Sequence, residues 1–199
     1  MIKIIRFYYL FKTVFYYKLI FGSIGIYSII KSNLKIDGGK RIFIGNKVNI
    51  AYKSWLAALP LTGEQNCQLI IEDGCNVGNF NHIYATHSVI LRKKVLTADK
   101  VYISDNLHGY EDISIPIIEQ PIKQNKFVEI GEGSWLCENV CVLGAKIGKH
   151  CVIGANSVVT KDIPDYCVAV GSPAIIVKRF NFKKNKWEKT NKYGESSNE

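Results

Sequence analysis

The stretch Ile130-Gly-Glu-Gly-Ser-Trp135-Leu-Cys-Glu-Asn-Val-Cys-Val-Leu-Gly-Ala-Lys-Ile147-Gly-Lys-His-Cys-Val-Ile153-Gly-Ala-Asn-Ser-Val-Val159 decides the fold. Aliphatic residues stand at Ile130, Leu136 and Val142, then, after a five-residue step, at Ile147, Ile153 and Val159. Small or branched residues follow four places later at Ser134, Val140, Cys151, Ser157 and Ile163, and Gly131, Gly148 and Gly154 follow the aliphatic directly. A period of six is neither the 3.6 of an amphipathic helix nor the 2 of a half-buried strand. It suits one flat side of a triangular coil, built from short parallel strands joined by tight corners. The aliphatic residue points inward and stacks on its equivalent one coil away, contributing roughly 1.5–3 kcal/mol on burial. The small residue after it lets the backbone turn.

Working outward, the same period runs through Ile71, Val77, Ile83, Val89, Val95 and Val101. Between Ile83 and Ile103 a neighbouring set, Leu91, Thr97 and Ile103, fits the inward column equally, and both phases stay open. Asp105 to Phe127 breaks the period and carries Gly109, Pro116 and Pro121, which reads as a loop thrown out of the coil. Ala174 to Phe180 reads as a last strand, followed by a polar tail with Trp187. The rival reading is a β-sandwich, but sandwich strands alternate with period 2 and lack the repeated glycines.

With 199 residues, 47% of them hydrophobic, the chain can bury one sizeable core. Its net charge of +9 is unevenly placed. Residues 1–53 hold ten Lys/Arg against Asp37 alone, residues 54–177 are acidic on balance, and residues 178–192 are basic again. Basic ends suit nucleic acid, an anionic membrane surface or a phosphorylated small molecule. No nucleic-acid module is recognisable, so nucleic acid is not expected as a partner. The six cysteines form no CxxC pair and no cleavable signal sequence precedes them, so reduced thiols in a cytoplasm are expected. The uncharged run Leu19 to Ile30 is well short of the ~20 residues that span a bilayer. Residues 1–30, with Lys3, Arg6, Lys12 and Lys18 among aromatics and aliphatics, suggest a basic amphipathic helix. Two placements are open for it: packed against the end of the coil, or lying in a membrane interface, which would put the protein at the inner membrane face. The expected organisation is an N-terminal helical segment over 1–33, a β-helix over 34–177 with an excursion at about 105–127, and a short basic extension over 178–199.

From about Ile36 to Asn181 the chain resembles the hexapeptide-repeat acyltransferases, above all the O-acetyltransferases of O-antigen and capsule biosynthesis. Three stretches carry the likeness: Val101-Tyr-Ile-Ser-Asp-Asn-Leu-His108-Gly, Ile130-Gly-Glu-Gly-Ser-Trp135, and Ile153-Gly-Ala-Asn-Ser-Val-Val-Thr-Lys-Asp-Ile-Pro164 with Gly171-Ser-Pro-Ala174. The resemblance implies an all-β, left-handed parallel β-helix with eighteen residues to a coil, assembled as a homotrimer. It implies acetyl-CoA as co-substrate, no metal, and direct acetyl transfer to a glycan or sugar hydroxyl in clefts between subunits. His108 would be the general base: an imidazole ordinarily titrates near ~6.5 and can take the hydroxyl proton as oxygen attacks the thioester. By the same match Trp135, Glu138, Ala155, Thr160, Lys161 and Lys178 would hold the coenzyme, and Asp105, Asn106 and Asn81 the acceptor. The sequence departs from the family where Asp-Asn-Leu-His replaces the more frequent Asp-His-Asn-His, at Cys137 in place of glycine, and at Ile175 where arginine often stands. Other acceptors, a nucleotide-linked amino sugar or a small xenobiotic, fit the same motifs. A likeness to β-helical zinc carbonic anhydrases rests on His82 and His87 alone, since Asn46 stands where a third ligand would.

Overall fold

The computed structural model describes residues 2–31 and 35–191, so the boundary at 33/34 and the end of the expected extension, 192–199, lie outside the described residues. Its body is a left-handed parallel β-helix of six coils with three flat sides. The first side stacks Ser23–Ile24, Ile42–Ile44, Gln68–Ile71, Ser88–Leu91, Val128–Ile130 and Lys146–Ile147. The second begins with Ile29–Ile30 and Asn49–Ile50 and runs through Asn76–Val77, Leu96–Thr97, Trp135–Leu136 and Val152–Ile153 to Cys167–Val170. The third stacks Lys35–Asp37, Trp55–Ala58, His82–Ala85, Tyr102–Ser104, Cys141–Leu143 and Val158–Val159.

Register fixes the inward columns. On the first side Ile24, Ile44, Ile71, Leu91, Ile130, Ile147 and Ile163 lie one above another. On the third side Ile36, Leu56, Ile83, Ile103, Val142 and Val159 do the same. The phase left open by the sequence is therefore settled in favour of Leu91, Thr97 and Ile103. Val95 and Val101 occupy the fifth position of their hexads, level with Cys75 and Asn81, and Val89 pairs with Leu69. All three are buried as well, which is why the apolar pattern alone could not choose. The run of six slips because Ile83 to Leu91 is eight residues, two longer than a plain side.

That extra length recurs at one place. Steps within a coil are six residues, but from the third side to the first they are eight (Ile36 to Ile44), fifteen (Leu56 to Ile71), eight (Ile83 to Leu91), twenty-seven (Ile103 to Ile130) and five (Val142 to Ile147). Every excursion thus leaves the same edge of the prism. The largest, expected over 105–127, is found there: Asn106–His108 and Ile122–Gln124 form an antiparallel foot, and Ile117–Glu119 a short 3-10 turn at the tip. On the opposite edges the coils touch closely. A methyl group added at Gly131 would overlap the Gly148 carbonyl of the next coil, so glycine is required for stacking there.

Two expectations need correction. The helical segment ends at Ile20, after a π-helical turn over Thr13–Tyr17, and Ser23–Ile24 and Ile29–Ile30 already belong to the first coil. The signal was in the sequence: Ile24, Gly25, Ser28 and Ile30 form one hexad, and Gly25 lies against the backbone of Gly45 and Asn46 with no room for a side chain. At the other end, Ile175–Asn181 runs antiparallel to Cys167–Val170 and then pairs with Lys186–Lys189, so a boundary at 177 would cut a strand.

Candidate active site

Asp105 opens the excursion, and its carboxylate is wholly buried. Oδ1 accepts from the Thr86 N–H (2.7 Å) and the Thr86 hydroxyl (3.1 Å); Oδ2 accepts from the N–H groups of His87 (2.8 Å) and Ser88 (2.7 Å). The two-residue insertion Thr86–His87 therefore curls around this carboxylate, which satisfies main-chain donors that a sharp corner leaves without strand partners. Gln124, on the returning strand at the root of the foot, completes the knot. Its amide nitrogen donates to the carbonyls of Asp105 (2.6 Å) and Asn125 (3.0 Å), and its oxygen accepts from the hydroxyls of Thr62 (2.7 Å) and Thr86 (3.0 Å). Three excursions of the same edge are laced together by one glutamine.

His108 stands on this foot, exposed, at the third residue of Asn106–His108 and paired across to Ile122. Farther out, Lys123 bridges Glu111 at 2.6 Å, and that contact holds the Glu111 carboxyl down to about 2. The imidazole is thus carried on a short two-stranded arm whose root is locked and whose face is open to solvent.

The expected coenzyme residues fall into three groups. Thr160 and Lys161 are exposed on the same edge as the excursion, just beyond Val158–Val159 of the last coil. Trp135 faces outward from the second side, 44% exposed, in a row that runs Leu96, Trp135, Val152, Val168, Lys178 by strand pairing. Three strand spacings of about 4.8 Å put Trp135 and Lys178 roughly 14 Å apart along this apolar track. Ala155 is exposed and Glu138 half-buried on the edge between the second and third sides, where Glu138 accepts the Asp99 N–H at 3.2 Å. The sequence pointed to Trp135 and Lys178 but not to Leu96, Val152 and Val168 between and beside them. Their signal is the outward position of each hexad, immediately before the inward one.

In a triangular prism the second side lies opposite the edge between the third and first. One copy of the chain therefore carries His108, Thr160 and Lys161 on one edge and the Trp135 track on the face across the body. A cavity of about 680 Å³ lies along the first side, between Glu72, Arg92, Glu129, Lys146 and Asp162, and none of the expected site residues lines it.

Among the residues expected to meet the acceptor, Asn106 is half-buried at the root of the foot and its amide reaches Asp105 (3.3 Å). Asp105 and Asn81 do not face solvent. Asn81 is an inward fifth-position residue whose amide nitrogen donates to the carbonyls of Asn79 (3.2 Å) and Ala98 (2.8 Å). Both side chains are buried and secure corners from within the wall. His82 and His87 do not converge on a metal site: His82 stacks flat on Trp55 at 4.0 Å, and the His87 main chain belongs to the Asp105 knot. Among the described residues no group of three or more His, Cys, Asp or Glu is arranged to hold a metal ion. All six cysteines are free; burial pushes the thiols of Cys75 and Cys151 up to about 12 and about 11, which marks them as core groups.

No protein-family model matches the chain. It is 38% identical over 128 residues to WbbJ of Escherichia coli K12, provisionally named a lipopolysaccharide biosynthesis O-acetyl transferase, covering 61% of this chain and 65% of WbbJ. It is 34% identical over 118 residues to the galactoside O-acetyltransferase of Lactococcus lactis, covering 54% of this chain and 55% of the relative. The chain thus spans less than two thirds of the length of these curated relatives. Among solved structures it superposes on AntD, an N-acyltransferase from Bacillus cereus in complex with dTDP-4-amino-4,6-dideoxyglucose and coenzyme A, with a TM-score of 0.70 at 18% identity, covering 84% of this chain and 88% of AntD. At that identity the likeness speaks to the fold.

Proposed function

Because the chain belongs to the hexapeptide-repeat acyltransferases, we propose that it is an acetyl-CoA-dependent O-acetyltransferase acting in the cytoplasm on a hydroxyl of a bacterial surface-polysaccharide sugar. The observation that carries the reading is the exposed imidazole of His108 on an arm rooted in the Asp105–Gln124 knot. A base held on a locked foot meets an acceptor in one geometry, which is what direct transfer demands. His108 accepts the hydroxyl proton while the oxygen forms its bond to the thioester carbonyl carbon. The carbon–sulfur bond then breaks, and the imidazolium returns the proton to the departing coenzyme thiolate. Trp135 and the apolar track up to Lys178 suit an extended pantetheine arm ending in phosphate, the lysine supplying a compact positive charge.

The separation of the two groups across the prism favours a site completed by a second copy, which supplies the track to its neighbour's His108. The apolar tip of the excursion favours it too: Ile113 is fully exposed and Ile118 86% exposed, more than a lone copy would leave in water. A homotrimer is the closed assembly we propose. Free thiols throughout suit a reducing compartment. WbbJ and the galactoside O-acetyltransferase bear names that point to sugar hydroxyls, and this favours a glycan over an amino sugar.

The test is deletion of the gene followed by NMR of the cell's polysaccharide. One O-acetyl signal is expected to vanish, to return with the wild-type gene, and to stay absent with His108→Ala, whose purified form should turn over roughly 10²–10⁴-fold more slowly. Rescue by the alanine form would remove the proposed base.

A further inference from the structure

We infer that the N-terminal helix and first coil form a membrane-contact surface whose partner is an anionic lipid bilayer. The inner face of the helix is fixed. Thr13 and Tyr17 are buried, the Thr13 hydroxyl accepts the Ile30 N–H of the first coil at 3.0 Å, and the Tyr9 and Tyr52 hydroxyls meet at 3.1 Å. The outer face is therefore not waiting to fold back onto the coil. On it Phe7, Phe11, Phe15 and Leu19 recur every four residues, and Phe7 and Leu19 are 70% and 74% exposed. A four-residue spacing drifts around an α-helix; the wider π turn at Thr13–Tyr17 counters the drift, and the Phe11 and Phe15 rings touch, with centroids 4.3 Å apart. Among the described residues, ten of the 25 large apolar side chains left exposed lie between Ile5 and Tyr27.

Charge chooses the occupant. Residues 1–53 carry ten Lys/Arg and a single Asp, so two copies meeting through this surface would bring like charges together, whereas anionic headgroups would neutralise them. Lysines lie beside exposed rings: the Lys12 ammonium is 5.8 Å from the Tyr16 ring centre, and Lys31 is 5.1 Å from that of Tyr52. Rings that enter the acyl boundary with ammonium groups at headgroup level are the mark of a helix lying in the interface plane. No described helix is long and apolar enough to cross a membrane.

The experiment is flotation of the full chain with vesicles of phosphatidylcholine, with and without phosphatidylglycerol, at low and high salt. Wild type is expected to float with the anionic vesicles and to be released by salt. Phe7→Ser/Phe11→Ser/Phe15→Ser should lower partitioning by more than about tenfold, since each ring contributes transfer of its own area. Lys12→Gln/Lys18→Gln should weaken anionic binding by about fivefold per lysine and leave neutral vesicles unaffected. Circular dichroism melts check that the variants fold; should the serine variant not, the lysine variant and the salt titration decide. Wild type that stays at the bottom with anionic vesicles, or a folded serine variant that floats like wild type, overturns the inference. A serine variant that changes sedimentation coefficient but not flotation assigns the surface to a second copy instead.

Discussion

Removing the Asp105 carboxylate tests whether this acid is a structural knot or an acceptor ligand. Asp105→Ala leaves the N–H groups of Thr86, His87 and Ser88 without their acceptor in a wholly buried corner. Each unpaired buried donor costs about 1–3 kcal/mol, giving ~3–9 for three. Water entering the space of the lost carboxylate recovers part of this, so a loss of about 3–5 kcal/mol is expected, or roughly 10 °C in melting temperature for a chain of this size. Asp105→Asn should fall between, because its amide keeps one acceptor and turns a donor toward other donors. Denaturant unfolding of both variants beside steady-state kinetics measures the effect. If the knot reading holds, stability falls and kcat falls with it, because the foot that carries His108 loses its root; KM for the acceptor changes least. A variant as stable as wild type whose sole defect is a raised acceptor KM would show that Asp105 serves the substrate and not the corner.

The proposed sharing of the site between copies predicts complementation. His108→Ala and Trp135→Ala homo-oligomers should each be nearly inactive, while assemblies refolded together from both should regain a measurable fraction of activity, because some clefts then combine an intact histidine with an intact tryptophan track; mixtures no better than their parents would place both residues in one copy's site. His82 predicts an acid limb to stability. Burial first, and the Lys35 ammonium second, hold its imidazole below the ordinary value. The unfolded chain takes up that proton from about pH 6.5 downward while the folded one resists it, so stability falls as pH drops through this window and levels once the folded value is passed. His82→Phe, which keeps a ring against Trp55, should flatten that limb in melts between neutral and mildly acidic pH; an unchanged slope would show that His82 does not contribute.

How much of this could be read from the sequence follows from which side of the wall a residue serves. The inward column repeats because every coil needs it, so Ile130, Leu136, Ile147 and Ile153 announced a three-sided coil. The fifth position is buried too, so a corner lengthened by two residues exchanged one apolar column for the other and left Val89 and Leu91 indistinguishable. Ile24 to Ile30 carried a complete hexad, but the aromatic helix immediately before it supplied an equally apolar context, and only backbone contact between Gly25 and the next coil separates them. Polar residues were harder still. Asp105, Asn81 and His108 look alike as polar residues at corners or loops, yet the first two turn inward and the third outward. The deciding partner of Asp105 on the far strand is Gln124, nineteen residues away, in a segment with no period to mark it.

The same asymmetry underlies our proposal that the working unit is more than one chain. A β-helix makes its core from residues six apart, so chemistry can only be added at the edges, where length is free, or on the flat faces, where outward positions are free. This chain uses one edge for its imidazole and the opposite face for its apolar track. The two stand apart within the prism: the foot is tied at Asp105 and Gln124, and the track belongs to the sheet of the second side. Stacking prisms side by side about a closed axis brings an edge of one against a face of the next without deforming either. In the proposed assembly the rigidity that keeps the two apart within one copy would fix their geometry between copies, and loosening the knot should cost catalysis even where the coil itself still folds.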